Sequence, residues 1–323
     1  MSNSRRLAAL SVLPLAWLAA SAAAQTGTGV NLEVQNPLQI ATLHWYQANL
    51  TTMVSVGTGP FAVAFDGANT WSANAGSNDV SKVRACDGAV LGTFPAGANP
   101  NGIAFDGANI WVSDAGGASV TKLRGSDGTI LGTFSVGQNP EGVLFDGTNI
   151  WVANFFSNSV TKLRASDGAV VGTFSVGQNP LGVSFDGTNI WVANNGSNNV
   201  MKLRASDGSV LGTVAVGIAP RGIAFDGTNM WVANSGSSSV TRLRATDGAL
   251  RGTFTVGTVP SGVVYDGANV WVTNSSSNDV TKLRVSDGTV IGTFSAGASP
   301  FAATFDGTNV WVANTTSNTL SKL

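Results

Sequence analysis

The chain of 323 residues contains a single cysteine, Cys86, so it can form no internal disulfide and no cysteine-based metal cluster. Histidine is equally scarce: His44 is the only one. It lies before the repeats described below, so no Ser-His-Asp or Cys-His set can be assembled within them. Charged residues make up only 11% of the chain, against about a quarter in ordinary domains, too few for the solvated faces of helical bundles or coiled coils. A formal net charge of −1 leaves no basic excess to neutralise phosphates, and no nucleic-acid partner is expected. What is abundant points elsewhere. Forty glycines imply many tight turns, and 43% hydrophobic residues with nine tryptophans suffice for a large core, which excludes a disordered chain.

Only one long apolar run occurs, at residues 7–20, behind Arg5 and Arg6 and ahead of the small-residue stretch Ala22-Ala23-Ala24. It is shorter than the roughly 20 residues of a bilayer span and reads as a cleaved export signal over residues 1–24. A twin-arginine reading is disfavoured by Ala8 and Ala9, where that signal carries bulky apolar residues. A cut after Ala24 predicts a secreted or periplasmic protein with no membrane span in its mature chain. Without Arg5 and Arg6, the 17 basic residues fall to 15 against 18 acidic ones, so the mature chain is mildly acidic.

From residue 50 onward the chain repeats. Pro60, Pro100, Pro140, Pro180, Pro220, Pro260 and Pro300 are 40 residues apart, and so are Trp71, Trp111, Trp151, Trp191, Trp231, Trp271 and Trp311. A 40-residue period fits four short strands and four turns, the unit of a propeller blade. In the second copy the pattern predicts strand A at 102–105, strand B at 110–114, strand C at 120–124 and strand D at 130–136. Asp106-Gly107 and Asp127-Gly128 supply the hairpin turns. The fold expected is an all-β, seven-bladed β-propeller with four antiparallel strands per blade. After Pro300 the chain holds only strands A, B and C, whereas residues 50–57 match the D strands elsewhere. An N-terminal strand is therefore expected to close the last blade. The domains read as signal 1–24, N-terminal segment 25–49 and propeller 50–323.

Trp271-Val272-Thr273-Asn274 and its variants at Trp111, Trp151, Trp191, Trp231 and Trp311 resemble the signature of YVTN-type β-propeller repeats, with Trp where that family often has Tyr. The Pro-x-Gly-Val-x-Phe-Asp-Gly stretches are similar to those of NHL and virginiamycin B lyase-like propellers. The resemblance covers residues 50–323 and implies the propeller fold. It implies no single activity, because these relatives include surface-layer and periplasmic binding proteins as well as enzymes. Lyase-like propellers use a His at the channel mouth, and this chain has none in its repeats. Lactonase-type propellers hold a divalent metal with carboxylate and amide oxygens, for which Asn101, Asp114 and Glu141 would supply a partial set.

Thirteen of the eighteen acids fall in the two Asp-Gly turns of each repeat, leaving Glu33, Asp79, Asp114, Glu141 and Asp279. Paired bases such as Lys82/Arg84 and Lys122/Arg124 recur on strand C and are expected to reach solvent or pair with the acidic turns beyond them. Arg221 and Arg251 stand outside that pattern. A ring of Asn74, Asn154, Asn194, Asn234, Asn274 and Asn314 ends strand B and is assigned to structure, with Asp114 the exception. Cys86 reads as a surface substitution.

The copies differ most at one end of the blades. The residue after each proline varies as Phe61, Asn101, Glu141, Leu181, Arg221, Ser261 and Phe301, and one B-C loop carries Phe155-Phe156. Alternating strand directions put these positions on one face, and clustered apolar groups in loops mark contact sites. The function expected is a non-catalytic scaffold, without a cofactor, binding a protein, small-molecule or glycan ligand through this D-A/B-C loop face. Its contacts are Phe61, Asn101, Asp114, Glu141, Phe155, Phe156, Arg221 and Phe301. Two alternatives stay open: a metal-assisted hydrolase or lyase at the channel mouth, using Glu141, Asn101 and Asp114, and a surface-layer component that self-associates.

Overall fold

A computed structural model of the chain describes residues 52–323; the expectations for residues 1–24 and 25–49, His44 included, lie outside the described residues. The described strands form seven four-stranded antiparallel sheets, with no helix among the described residues. In blade 2, strand A is Pro100–Phe105, B is Asn109–Asp114, C is Ser119–Arg124 and D is Ile130–Ser135. Each boundary lies within two residues of the sequence expectation.

The Asp-Gly turn does more than reverse the chain. Asp106 Oδ1 accepts from the backbone N–H groups of Ala108 and Asn109, at 2.9 and 2.6 Å, while Gly107 takes the positive φ of 97° that the turn needs. Its other oxygen accepts from Trp111 Nε1, and the same Trp-to-Asp bond recurs in all seven blades at 2.7 to 2.8 Å. Burial alone would raise these carboxyls. The donated hydrogen bonds outweigh it and hold Asp66, Asp106, Asp146, Asp186, Asp266 and Asp306 below the usual carboxylate range.

The basic pairs of strand C divide their work. Arg84 forms an exposed ion pair with Asp87 at 2.9 Å, as expected of local pairing. Lys82 instead is buried: its Nζ lies 4.8 Å above the Trp71 ring and donates to the Gly125 carbonyl of the next blade at 2.7 Å. Lys122, Lys162, Lys202 and Arg242 repeat this link, and Lys322 donates to Ala85 of blade 1 at 3.0 Å. A lysine whose ammonium finds backbone carbonyls next door need not reach solvent.

The core lies between the blades rather than within them. Trp111 and Val120 of blade 2 pack with Ile150, Val152 and Leu163 of blade 3, and a corresponding cluster fills each of the seven seams. Nearest the axis, strands A approach so closely that a Cβ on Gly182 would overlap the Arg221 carbonyl oxygen of the next blade. Side chains of any size are thereby confined to neighbouring positions, above all the residue after each proline.

Closure follows the expected route. Met53–Ser55 pairs antiparallel with Thr319–Lys322, in the register Met53 to Ser321, Val54 to Leu320 and Ser55 to Thr319. Val54 joins Val63, Val83, Trp311 and Leu320 in the seam between the last blade and the first. Each aliphatic side chain buried there contributes about 2 kcal/mol, and whole domains are stable by only about 5–15 kcal/mol. A chain starting at Pro60 is expected to melt well below one that retains residues 52–59, by thermal denaturation followed through tryptophan fluorescence. Equal melting temperatures would show that the three-residue strand does not hold the ring shut.

Candidate functional site

All seven residues that follow the blade prolines, Phe61, Asn101, Glu141, Leu181, Arg221, Ser261 and Phe301, line one cavity of about 440 Å³ on the D-A/B-C loop face. The convergence is dictated by topology: strand A of every blade starts at its proline and runs along the axis, so its second residue meets its six counterparts. In five blades a glycine and then an aliphatic residue come next along strand A, so the lining beyond the glycines is apolar, with Ile103, Val143, Val183, Ile223 and Val263. Phe155 and Asn195 reach in from the B-C loops.

The rim is chemically uneven. Phe61 and Phe301 face each other with ring centroids 3.8 Å apart, and the Arg221 guanidinium lies 5.3 Å over Phe301. Between Arg221 and Phe301 in the ring stands the small, buried Ser261, which leaves room for the long side chain to cross. Arg221 Nε is buried with no hydrogen-bond partner among the described residues. Burial lowers the Arg221 pKa and the charge of Glu141 raises it in part.

Glu141 carries the largest perturbation in the cavity. Burial pushes its carboxyl up to about 7, against hydrogen bonds from Asn101 and Asn139 and the charge of Arg221, which favour ionisation. Asn101 Nδ2 and Asn139 Nδ2 both donate to Oε1, at 3.1 and 2.9 Å. Its backbone is braced as well. Ser113 Oγ donates to the Glu141 carbonyl at 2.6 Å and accepts from Gly102 N at 2.7 Å. Thr273 does the same for Phe301, donating to its carbonyl at 2.8 Å and accepting from Gly262 N at 2.8 Å.

Of the eight contacts expected from sequence, Phe61, Asn101, Glu141, Phe155, Arg221 and Phe301 line the cavity, whereas Asp114 and Phe156 do not. Phe156 meets Phe155 edge-on at 5.2 Å but stays 64% exposed outside. Asp114 is fully buried in its blade, accepting from Gly97 N at 3.0 Å, Ser119 Oγ at 3.1 Å and Thr121 Oγ1 at 2.7 Å. It occupies the place of the Asn that ends strand B elsewhere: Asn154 likewise accepts from Gly137 N, but donates to Ser159 and Thr161. Hydroxyl groups turn to suit either partner, which is how a carboxylate fits. The oxygen set Asn101, Asp114 and Glu141 therefore does not come together, and these residues do not fit a metal held by all three. Asn139, Asn195, Ser113 and Thr273 were not singled out from sequence. The last two had a signal, standing where the other five blades carry Ala73, Ala153, Ala193, Ala233 and Ala313.

Two substitutions separate these roles. An unfolded Glu141 ionises around 4.5 and the folded one at about 7, so its protonated form stabilises the fold fully in acid and the benefit is lost as pH rises through 7. Glu141→Gln is expected to match the parent near pH 4 and exceed it by about 3 kcal/mol near pH 8 in urea melts, a constant difference being the contrary result. Burial raises the Asp114 carboxyl, so Asp114→Asn, which restores the residue of the other six blades, should raise the melting temperature at neutral pH. A fall would show that the carboxylate itself is needed.

No family model matches the chain, and no curated protein matches it. Solved structures do. A streptogramin B lyase structure superposes with a TM-score of 0.71 at 18% identity, covering 84% of this chain and 96% of that one. The selenomethionine-substituted virginiamycin B lyase from Staphylococcus aureus gives 0.72 at 17% identity, covering 84% and 97%. Hydrazine synthase of Kuenenia stuttgartiensis gives 0.67 at 18% identity, covering 84% and 96%. At these identities the likeness concerns architecture: the chain is a seven-bladed β-propeller with the fold of the virginiamycin B lyase-like propellers.

Proposed function

We propose that the protein is an exported propeller that binds a small organic ligand in the cavity of its D-A/B-C loop face. One observation carries this reading: the seven positions where the repeat varies most converge on a single cavity of about 440 Å³, within the size range of small-molecule sites. The export segment read at residues 1–24 supports binding in the periplasm or outside the cell.

A second reading, an acid–base enzyme, is favoured by Glu141 alone. A buried carboxyl that titrates at about 7 can take up or release a proton at neutral pH, and two of the similar structures are of lyases. Asn101 and Asn139 would orient that carboxyl.

The test is occlusion of the cavity. A fragment library screened by ligand-observed NMR is expected to give hits that are lost in Leu181→Trp, whose indole fills the space, while its melting curve stays cooperative. Hits that bind both proteins equally would move the site elsewhere. Chemical conversion of a hit by the parent protein and not by Glu141→Gln would favour the enzyme.

A further inference from the structure

Among the described residues, Glu141 and Arg221 are the only ionisable ones lining the cavity, and they do not play symmetrical parts. Glu141 is anchored: two amides hold one of its oxygens. Arg221 is not. Its Nε is buried without a partner among the described residues, and its guanidinium rests on an aromatic face. Arg221 is half-buried and no protein acceptor meets its guanidinium among the described residues, and a carboxylate is the group that answers a guanidinium edge with two parallel hydrogen bonds. Phe301 covers only the guanidinium's face, and its two Nη groups, which unlike Nε are not sealed off, have no acceptor among the described residues and are the donors left for a ligand.

The rest of the lining says what the anion is attached to. Phe61 and Phe301 form one aromatic wall, Phe155 reaches in from a B-C loop, and aliphatic side chains from five blades complete the lining. These surfaces suit a flat apolar body by offset or edge contacts. One cation beside one carboxyl also limits the charge of the guest, because a dianion would need a second positive group and the described residues of the lining supply one.

We propose that the cavity binds a small aryl monocarboxylate, its carboxylate on Arg221 and its ring among Phe61, Phe155 and Phe301, with Glu141 setting the pH range in which the anion is accepted. The proposal rests on the ligand-binding reading above. When Glu141 is protonated the cavity carries the single positive charge of Arg221, and Glu141 can donate a hydrogen bond. When it is ionised the cavity is neutral, and its carboxylate repels the guest. With a Glu141 carboxyl at about 7, anion affinity falls as pH rises through neutrality. By linkage the bound anion favours the protonated carboxyl, so binding takes up a proton near pH 7.

The experiment uses three matched probes, phenylacetate, phenylacetamide and phenethylammonium, titrated by ligand-observed NMR into the folded protein in acid and in base. Near pH 5.5 phenylacetate is expected to bind about tenfold or more tightly than the amide, and the ammonium weakest, with the advantage shrinking about tenfold by pH 8.5. Arg221→Gln should bring acid and amide together. Glu141→Gln should keep the preference for the acid while abolishing its pH dependence. Should the amide bind as well as the acid near pH 5.5, or the preference survive there in Arg221→Gln, the anion assignment is overturned while the cavity remains a binding site. A pH dependence unchanged in Glu141→Gln would remove Glu141 from the proposal. Binding of none of the three by the parent protein would count against the cavity reading itself.

Discussion

The indole N–H of a buried tryptophan must find an acceptor, and here one carboxylate answers it in every blade. Because the same Asp caps its own hairpin turn, each Trp-to-Asp bond fixes strand A against strand B and sets the angle at which the indole enters the seam. The indole then offers its face to a buried lysine, or to Arg242, whose head is held by carbonyl oxygens of the following blade. Turn, seam and next blade are thus joined through one side chain in six of the seven blades.

This frame explains why variation concentrates where it does. In five blades the axis-facing strands carry a glycine that meets the neighbour's carbonyl, and the strand-B Asn or Asp is packed against the glycine that ends strand D. Few positions near the axis accept a side chain without forcing two blades apart. The residue after each proline does, since it borders the cavity at the end of the channel. A repeat that cannot vary in its seams can vary there without loss of the ring.

Within that freedom the electrostatics are built from neighbours as much as from the rim itself. Glu141 gains its hydrogen bonds from Asn101 of one blade and Asn139 of its own loop, while Ser113 of the preceding blade grips its backbone. Arg221 reaches across Ser261 to Phe301, whose carbonyl is gripped by Thr273. The polar and aromatic halves of the cavity each rest on one hydroxyl that replaces the alanine found elsewhere in the repeat.

Local chemistry made much of the fold legible in advance. The 40-residue spacing of Pro and Trp and the Asp-Gly turns act locally and fix blade count and strand limits, while the closing strand was legible by counting, because the last repeat lacks the strand that the residues before Pro60 supply. Six cavity residues were legible for the same reason, because equivalent positions of a repeat share one face. Asp114 and Asn154 show where this stops: an acid and an amide at the same position do the same buried work, and only the partners Gly97, Ser119 and Thr121 reveal it. The burial of Lys82, the divergence of Phe155 and Phe156, and the raised pKa of Glu141 were decided by tertiary structure. Lys82 is held by the carbonyl of Gly125 and Glu141 is packed and bonded beside Asn101, groups of neighbouring blades 43 and 40 residues away in the chain, whose distance and burial no local pattern encodes.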